Sequence, residues 1–156
     1  MQGDRRVIDH LNAYLQIELA GYAQYLQAAQ ACAAWGYRRL HEKQMEYSRE
    51  EIEHAARITR RIVFLEGSPQ PQAARAPVPA TPVAEQLRRD HELVKHAIDH
   101  LQGAIACCEE QRDEGTRTLF EEMLVDEESH LDWLETELRA IRAIGVERYL
   151  QEQRIG

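Results

Sequence analysis

The feature that most constrains the fold of this chain is a Pro- and Ala-rich stretch at 67–82, in which apolar residues follow no regular period. Repeated prolines fix φ and remove backbone donors, so the stretch favours an extended connection. Its sixteen residues span about 50 Å in polyproline form. A helix of nearly thirty residues is roughly 40 Å long. The linker can therefore run the whole length of a helix, which makes the helices on either side of it parallel.

Both sides of the linker show the helical period, with apolar residues recurring at intervals of three and four, as at Val7, Leu11 and Leu15. Helices are predicted at about 4–35, 37–66, 82–111, 115–144 and 146–153, with short turns around Gly36 and Gly115 and with Thr81 as the N-cap ahead of Pro82. Short turns join antiparallel helices, so the sequence predicts an all-α four-helix bundle with one long crossover and a short fifth helix, in a single domain over 1–156. A long-looped coiled coil or an unrelated up-down bundle is the alternative.

Charge and composition exclude several classes of partner. The formal net charge of −8 argues against nucleic acid or an anionic membrane and is compatible with attracting cations. No apolar run approaches a membrane span, and the N-terminus MQGDRRVIDHLN lacks the apolar segment of a secretion signal. Cys32, Cys107 and Cys108 have neither disulfide-framework nor zinc-site spacing and are predicted to be packing residues. We therefore expect a cytoplasmic protein.

The chain contains Glu-x-x-His twice, as Glu51 with His54 and as Glu127 with His130. Residues i and i+3 of an α-helix project from one face, so each copy presents a carboxylate and an imidazole to the same region of space. A single copy in a Glu-rich helical protein is weak evidence, because such residues fall three apart by chance on solvated helix faces. Two copies on two long helices are typical of a site for two metal ions.

The two copies belong to a longer repeat. Glu18 precedes Glu51 by the same interval that separates position 94 from Glu127. In di-iron carboxylate bundles, two helices each supply a single Glu and the other two each supply Glu-x-x-His. The sequence therefore contains five of the six expected ligands, and position 94 is Val94. The five candidate metal-binding and catalytic residues are Glu18, Glu51, His54, Glu127 and His130.

Beyond these motifs, the chain resembles a bacterioferritin subunit of the ferritin-like superfamily almost from end to end. The resemblance is carried by GDRRVIDHLN at 3–12, IVFLEG at 62–67, DEESHLDWLETEL at 126–138 and IGVERYLQ at 144–151. It implies an Fe(II):O2 ferroxidase site at the five candidate residues, with Glu51 and Glu127 as bridging carboxylates. It also implies a hollow shell of about two dozen subunits that stores ferric mineral.

Two residues depart from the family pattern. Family members hold haem through a methionine directly after the first bridging glutamate, and here that residue is Ile52, which has no donor atom. The resemblance therefore implies no bis-methionine haem in a homopolymer of this chain. Val94 stands at the sixth iron-ligand position. Four carboxylates neutralise two Fe(II) ions, but three leave one positive charge, which weakens binding of the second iron in a partly desolvated core.

Two functions follow as expectations. The first is iron storage with ferroxidase activity, in which Fe(II) is oxidised by O2 or peroxide at a di-iron-type site that Val94 leaves incomplete. The second is a catalytically weak structural subunit that co-assembles with a partner bacterioferritin chain. A plain helical interaction protein explains neither the paired ligands nor the linker.

Overall fold

The computed structural model describes residues 1–76 and 78–154, and it is all-α. The chain forms five helices: α1 (Arg5–Trp35), α2 (Arg38–Phe64), α3 (Val83–Glu110), α4 (Glu114–Ile144) and the short α5 (Val146–Glu152). The predicted four-helix bundle with a short C-terminal helix is confirmed. Position 77 of the predicted linker and positions 155–156 of the predicted domain lie outside the described residues. Among the helices described, none is both long enough and apolar enough to cross a bilayer.

The turn between α1 and α2 is as short as the sequence predicts. The Asp4 side chain accepts a hydrogen bond from the Arg6 backbone N–H and begins α1. Gly36 ends it in the left-handed region, at φ 83°, where a side chain would be strained. The Tyr37 N–H then bonds to the Cys32 carbonyl at 2.8 Å, which reverses the chain and makes α1 and α2 antiparallel neighbours.

Two predicted boundaries differ in detail from those observed. Gly115 lies inside the first turn of α4, and the left-handed residue of the α3–α4 turn is Arg112, at φ 57°. Asp113 caps α4 by accepting from the Thr116 N–H. Pro82, which has no side-chain donor or acceptor, occupies the N-cap position of α3 that was predicted for Thr81. In both cases the observed cap lies one or two residues away from the residue that the sequence pattern indicated.

The linker lies along α1 and is held there by hydrogen bonds. The Asn12 amide donates to the Ser68 carbonyl at 3.1 Å and accepts from the Gln70 N–H at 2.8 Å. One turn further along α1, the Gln16 carbonyl accepts from the Ala74 N–H at 3.0 Å. The linker therefore progresses along the bundle rather than folding back on itself.

Side-chain contacts at both ends show that α2 and α3 are parallel. Near the start of both helices, Gln44 of α2 donates to Asp90 of α3 at 2.8 Å. Near the end of α2, Arg61 bonds to Asp113, which follows α3 closely, at 2.9 Å. This is the one-crossover topology that the linker length predicts.

The apolar core is divided by a polar layer. One core region contains Val7, Leu11 and Phe120, and the other contains Leu87 and Leu134. Buried polar and charged side chains interrupt the apolar core, and they include Glu18, Gln44, Glu51, His54, Asp90, Glu127 and His130. Apolar burial contributes about 25 cal/mol per Å², whereas burying unpaired charge costs several kcal/mol. The two apolar regions therefore hold in place a layer that would destabilise the fold by itself.

Candidate metal centre

Four of the five predicted ligands come together inside the bundle. Their side chains offer ligand atoms that all lie within 4.8 Å of one another, and all are buried; the group is Glu18, Glu51, His54 and Glu127. α1 supplies the first, α2 the next two and α4 the last. Gly21 leaves room for this group, because a methyl group there would lie 3.2 Å from Glu51 Oε2. We call these four residues the carboxylate group.

Hydrogen bonds orient the members of the carboxylate group. His54 Nδ1 lies 3.0 Å from Glu18 Oε2, and His54 Nε2 lies 2.8 Å from Asp126 Oδ2. The Tyr14 hydroxyl donates to Glu127 Oε1 at 3.3 Å. Glu18 Oε1 is buried and has no hydrogen-bond partner among the described residues. A bound cation would supply the partner that this buried carboxylate oxygen lacks.

The electrostatics of the centre show a shortage of positive charge. Burial, together with repulsion from neighbouring carboxylates, raises the pKa of Glu51 and of Glu127 well above the usual range. Burial alone would lower the pKa of His54, but its hydrogen bond to Glu18 and the surrounding negative charges raise it to about 9. A cationic imidazole thus partly compensates three buried carboxylates.

A second acidic cluster lies next to the centre and shares His54. It consists of Glu50, His54 and Asp126, whose ligand atoms also lie within 4.8 Å of one another. Asp126 is partly exposed, and burial with repulsion from Asp126 raises the pKa of Glu50 to about 7. This cluster connects the buried group with solvent between α2 and α4. Asp126 was not among the predicted site residues, although Glu50 and Asp126 each stand four residues before a motif histidine and so share its helix face.

The fifth predicted ligand, His130, lies outside the carboxylate group. It is buried, and neither ring nitrogen has a hydrogen-bond partner among the described residues. Its ring stacks on Tyr47 with centroids 3.4 Å apart and an angle of 18° between the planes. Burial, and to a lesser degree the Lys43 charge, lower the pKa of His130 to about 3, so it is neutral. The imidazole is therefore in the protonation state that metal ligation requires.

Val94 is fully buried and packs with apolar residues that include Leu87 and Leu134. The nearest acid on the same helix face is Asp90, one turn earlier. Three amides hold Asp90, from Gln24 at 2.6 Å, Gln44 at 2.8 Å and Gln86 at 3.1 Å. Asp90 therefore accepts hydrogen bonds from side chains of α1, α2 and α3, and these bonds link the three helices. We call the three amides the amide cage.

Ile52, at the position where the resemblance implied a haem methionine, lies on the outer surface of α2. It has 42 % of its surface exposed.

The fold and this buried cluster agree with the comparison to known proteins. A family model described as a ferritin-like domain matches residues 8–144, which is most of the chain. The chain belongs to the ferritin family.

Its relatives match over nearly their whole length. The chain is 39 % identical over 154 residues to the bacterial ferritin of Pseudomonas aeruginosa, covering 98 % of this chain and 99 % of that protein. It is 38 % identical over 149 residues to the bacterioferritin of Mycolicibacterium paratuberculosis, covering 96 % and 94 %. The bacterioferritin of Brucella melitensis is 37 % identical over 151 residues, with coverage of 97 % and 94 %.

Proposed function

We propose that this chain is a bacterioferritin-like iron-storage subunit that binds and oxidises Fe(II) at the carboxylate group, with His130 as a further ligand. The observation that carries the proposal is the burial of three carboxylates beside one imidazole, with all their ligand atoms within 4.8 Å of one another. Three carboxylates buried this close together are destabilising when ionised unless a cation compensates their charge.

The donor set suits iron. Carboxylate oxygens and imidazole nitrogen are the ligands of non-haem iron, while a thiolate-free site does not select soft metals. Glu51 and Glu127 act as bridging carboxylates in this proposal, as the resemblance to bacterioferritin implies. The three cysteines, of which Cys32 and Cys108 are buried, are all free, and none of them belongs to the carboxylate group.

The substrate reaches the centre from the acidic cluster. Glu50 and Asp126 attract Fe(II) at the α2–α4 surface, and His54 contacts both that cluster and Glu18. Binding displaces the proton that His54 carries, because only the neutral imidazole ligates metal. A metal ion at the centre then relieves the mutual repulsion of Glu51 and Glu127.

Oxidation removes one electron from each Fe(II). Two Fe(II) ions with O2 and two protons give two Fe(III) ions and hydrogen peroxide; with peroxide as oxidant they give two waters instead. The ferric product hydrolyses and is stored as mineral inside a self-assembled shell of about 24 subunits. The names and full-length similarity of the relatives support the storage role and the shell.

The test is iron stoichiometry per subunit on the purified homopolymer, combined with O2 uptake during Fe(II) addition. Rapid oxidation at close to two irons per subunit supports the ferroxidase. Glu51→Ala should abolish most of this activity, because it removes a bridge, whereas Glu53→Ala, at an exposed position on the same helix, should not. Electron microscopy of the same preparation should show hollow shells, and a protein that remains monomeric at micromolar concentration would contradict the assembly.

A second candidate function is a catalytically weak structural subunit of a mixed shell. Two observations favour it: Val94 is buried and apolar at the sixth ligand position, and His130 lies outside the carboxylate group. In this case the homopolymer would bind one iron or none and take up O2 slowly. Co-expression with a bacterioferritin chain that carries a complete centre should then yield shells containing both subunits.

A further inference from the structure

Two histidines that do not belong to the carboxylate group lie close together in a groove between α1 and α3. The groove has a volume of about 680 Å³, and His10 of α1 and His100 of α3 both line it. Their ring centres are 5.4 Å apart, and the ring planes are tilted by 54°. Asp9, which is exposed, lines the same groove. Imidazole nitrogens and carboxylate oxygens are ligands that Zn²⁺ uses in proteins.

The separation of the two rings is that of histidines which share one metal ion. A Zn–N bond is about 2.0–2.1 Å long and a ring nitrogen lies about 1.1–1.2 Å from the ring centre, so the centre of a ligating ring is about 3.2 Å from the metal. Two such rings at the tetrahedral angle have centres about 5.2 Å apart. The ring centres of His10 and His100 are 5.4 Å apart. Because the ring centre lies almost on the Cβ–Cγ axis, rotation about χ2 turns a nitrogen toward the metal without changing this distance.

His100 is held in the tautomer that metal binding requires. Its Nε2 lies 3.2 Å from the backbone carbonyl oxygen of His10, and a carbonyl oxygen only accepts, so Nε2 carries the proton. Burial outweighs this hydrogen bond and lowers the pKa of His100, so the ring is neutral near pH 7. The lone pair of Nδ1 is then available to a metal ion. A backbone carbonyl that accepts from the outer nitrogen is a usual support of a ligating histidine.

The two rings differ in mobility. The His100 ring lies parallel to the fully buried Tyr14 ring, with 3° between the planes and 6.0 Å between the centres, so packing holds it on one side. His10 is only partly buried, and its ring forms no hydrogen bond with the described residues. One ligand is therefore fixed before metal arrives, and only the other has to turn toward it.

We infer that His10 and His100 form a zinc-binding site that ties α1 to α3, with water completing the coordination and Asp9 adding negative charge. The site is independent of the proposed Fe(II) oxidation and shares no residue with the carboxylate group. α1 belongs to the first helical hairpin and α3 to the second, so the ion cross-links the two hairpins. Because the two histidines meet only in the folded bundle, zinc stabilises the folded state.

Sequence spacing by itself favours a different pair. His96 and His100 stand four residues apart on α3 and share a helix face, which is the spacing of zinc ligands on a single helix. A site on α3 alone would not link the hairpins. Cys107 also lines the groove, but it stands seven residues after His100, about 10 Å along the helix axis, which is too far to share one ion.

The test is zinc content per subunit, measured by equilibrium dialysis and metal analysis at neutral pH. Because Zn²⁺ also binds carboxylates, each variant is compared both with the wild type and in a Glu51→Ala, His54→Ala background, which removes ligands from the carboxylate group and from the acidic cluster beside it. We expect His10→Ala and His100→Gln each to lose one zinc ion per subunit in both backgrounds. His96→Ala is the matched control and should retain that ion.

Urea denaturation tests the cross-link. Zinc should raise the denaturation midpoint of the background protein, and His10→Ala should abolish the rise. Unchanged zinc content in His10→Ala overturns the site, and losses in His96→Ala and His100→Gln alone would place the ion on α3. Loss of zinc with the stabilisation retained would overturn the cross-link. His100→Gln keeps an N–H for the His10 carbonyl, and helical content of each variant, measured beforehand, separates these outcomes from misfolding.

Discussion

The imidazole of His54 lies between two carboxylates, with Nδ1 3.0 Å from Glu18 Oε2 and Nε2 2.8 Å from Asp126 Oδ2. The two contacts fix the ring plane, so one nitrogen faces the buried group and the other faces the α2–α4 surface. A carboxylate that accepts from the outer nitrogen holds a ligating histidine in the required tautomer and makes it more basic. Asp126 is thus a positioning residue for His54.

Removal of Asp126 should weaken metal binding without removing a member of the carboxylate group. We expect Asp126→Ala to lower the affinity for a redox-inert divalent ion such as Zn²⁺ by about ten- to a hundredfold, the range seen when such supporting partners are lost. Asp126→Asn retains an acceptor oxygen and should lose less. Isothermal titration of the metal-free protein measures both. Asp132→Ala, which removes an exposed acid on the same helix, is the control; equal losses in both alanine variants would show a general charge effect.

Restoring an acid at position 94 should strengthen the second iron site. Val94→Glu adds a donor and balances the charge of two Fe(II) ions, so the occupancy of the second iron site at limiting iron and the rate of Fe(II) oxidation should both rise. The buried acid should destabilise the metal-free protein by about a few kcal/mol, and iron should offset this loss because it binds only the folded state. Iron titration, stopped-flow oxidation and chemical denaturation measure the three quantities.

Val94→Gln is the matched control for this change, since it adds an oxygen donor of the same length without charge. It should cost stability but increase the second-iron affinity much less. If Val94→Glu leaves stoichiometry and rate unchanged in an intact shell, then either another group already completes the site or the centre is inactive for a different reason.

Haem binding should depend on Ile52. We expect the homopolymer to lack the absorbance of bis-methionine haem, even when it is expressed with haem precursors, because an isoleucine side chain has no donor atom. Ile52→Met places a thioether at an exposed position of α2 and should create haem binding if the surrounding surface is suitable. Absorbance spectroscopy after haem reconstitution is the measurement. Stoichiometric haem in the unaltered protein would show that another residue supplies the ligand.

Asp90 should make stability pH-dependent. Burial raises its pKa from 3.8 to about 6, despite the opposing hydrogen bonds from Gln44, Gln24 and Gln86. The folded state therefore binds more protons than the unfolded state between these values, and the free energy of unfolding falls as pH rises through this window. A pKa difference of this size corresponds to about 3 kcal/mol.

The measurement is chemical denaturation of metal-free wild type and Asp90→Asn between pH 4 and pH 7. Because the amide side chain of the variant does not titrate, the free energy of unfolding of the wild type relative to the variant should fall by about 2 kcal/mol between pH 4 and pH 7, a window that covers most of the titration. A difference that stays constant over this window would show that the amide cage stabilises the charged form as well as water does.

Local sequence patterns were sufficient to predict the five helices and their order along the chain. The apolar period and Gly36 marked where α1 forms and ends, because helix formation and left-handed caps depend on neighbouring residues. The length and proline content of the linker were sufficient for the parallel arrangement of α2 and α3, since only an extended segment spans a helix. The sequence pattern predicted Thr81 as the N-cap of α3, but this cap depends on how the linker meets the bundle, and Pro82 occupies the position.

The sequence by itself also determined which polar residues share helix faces, so Glu51 with His54, and Glu127 with His130, were identifiable as pairs. Only the tertiary structure decided which of them meet. His54 turns toward Glu18 and Asp126, whereas His130 stacks on Tyr47, because each ring takes the orientation that packing across different helices allows. Contacts such as Tyr14 with Glu127 join residues more than a hundred positions apart, and helical spacing carries no information about which distant face a side chain will touch.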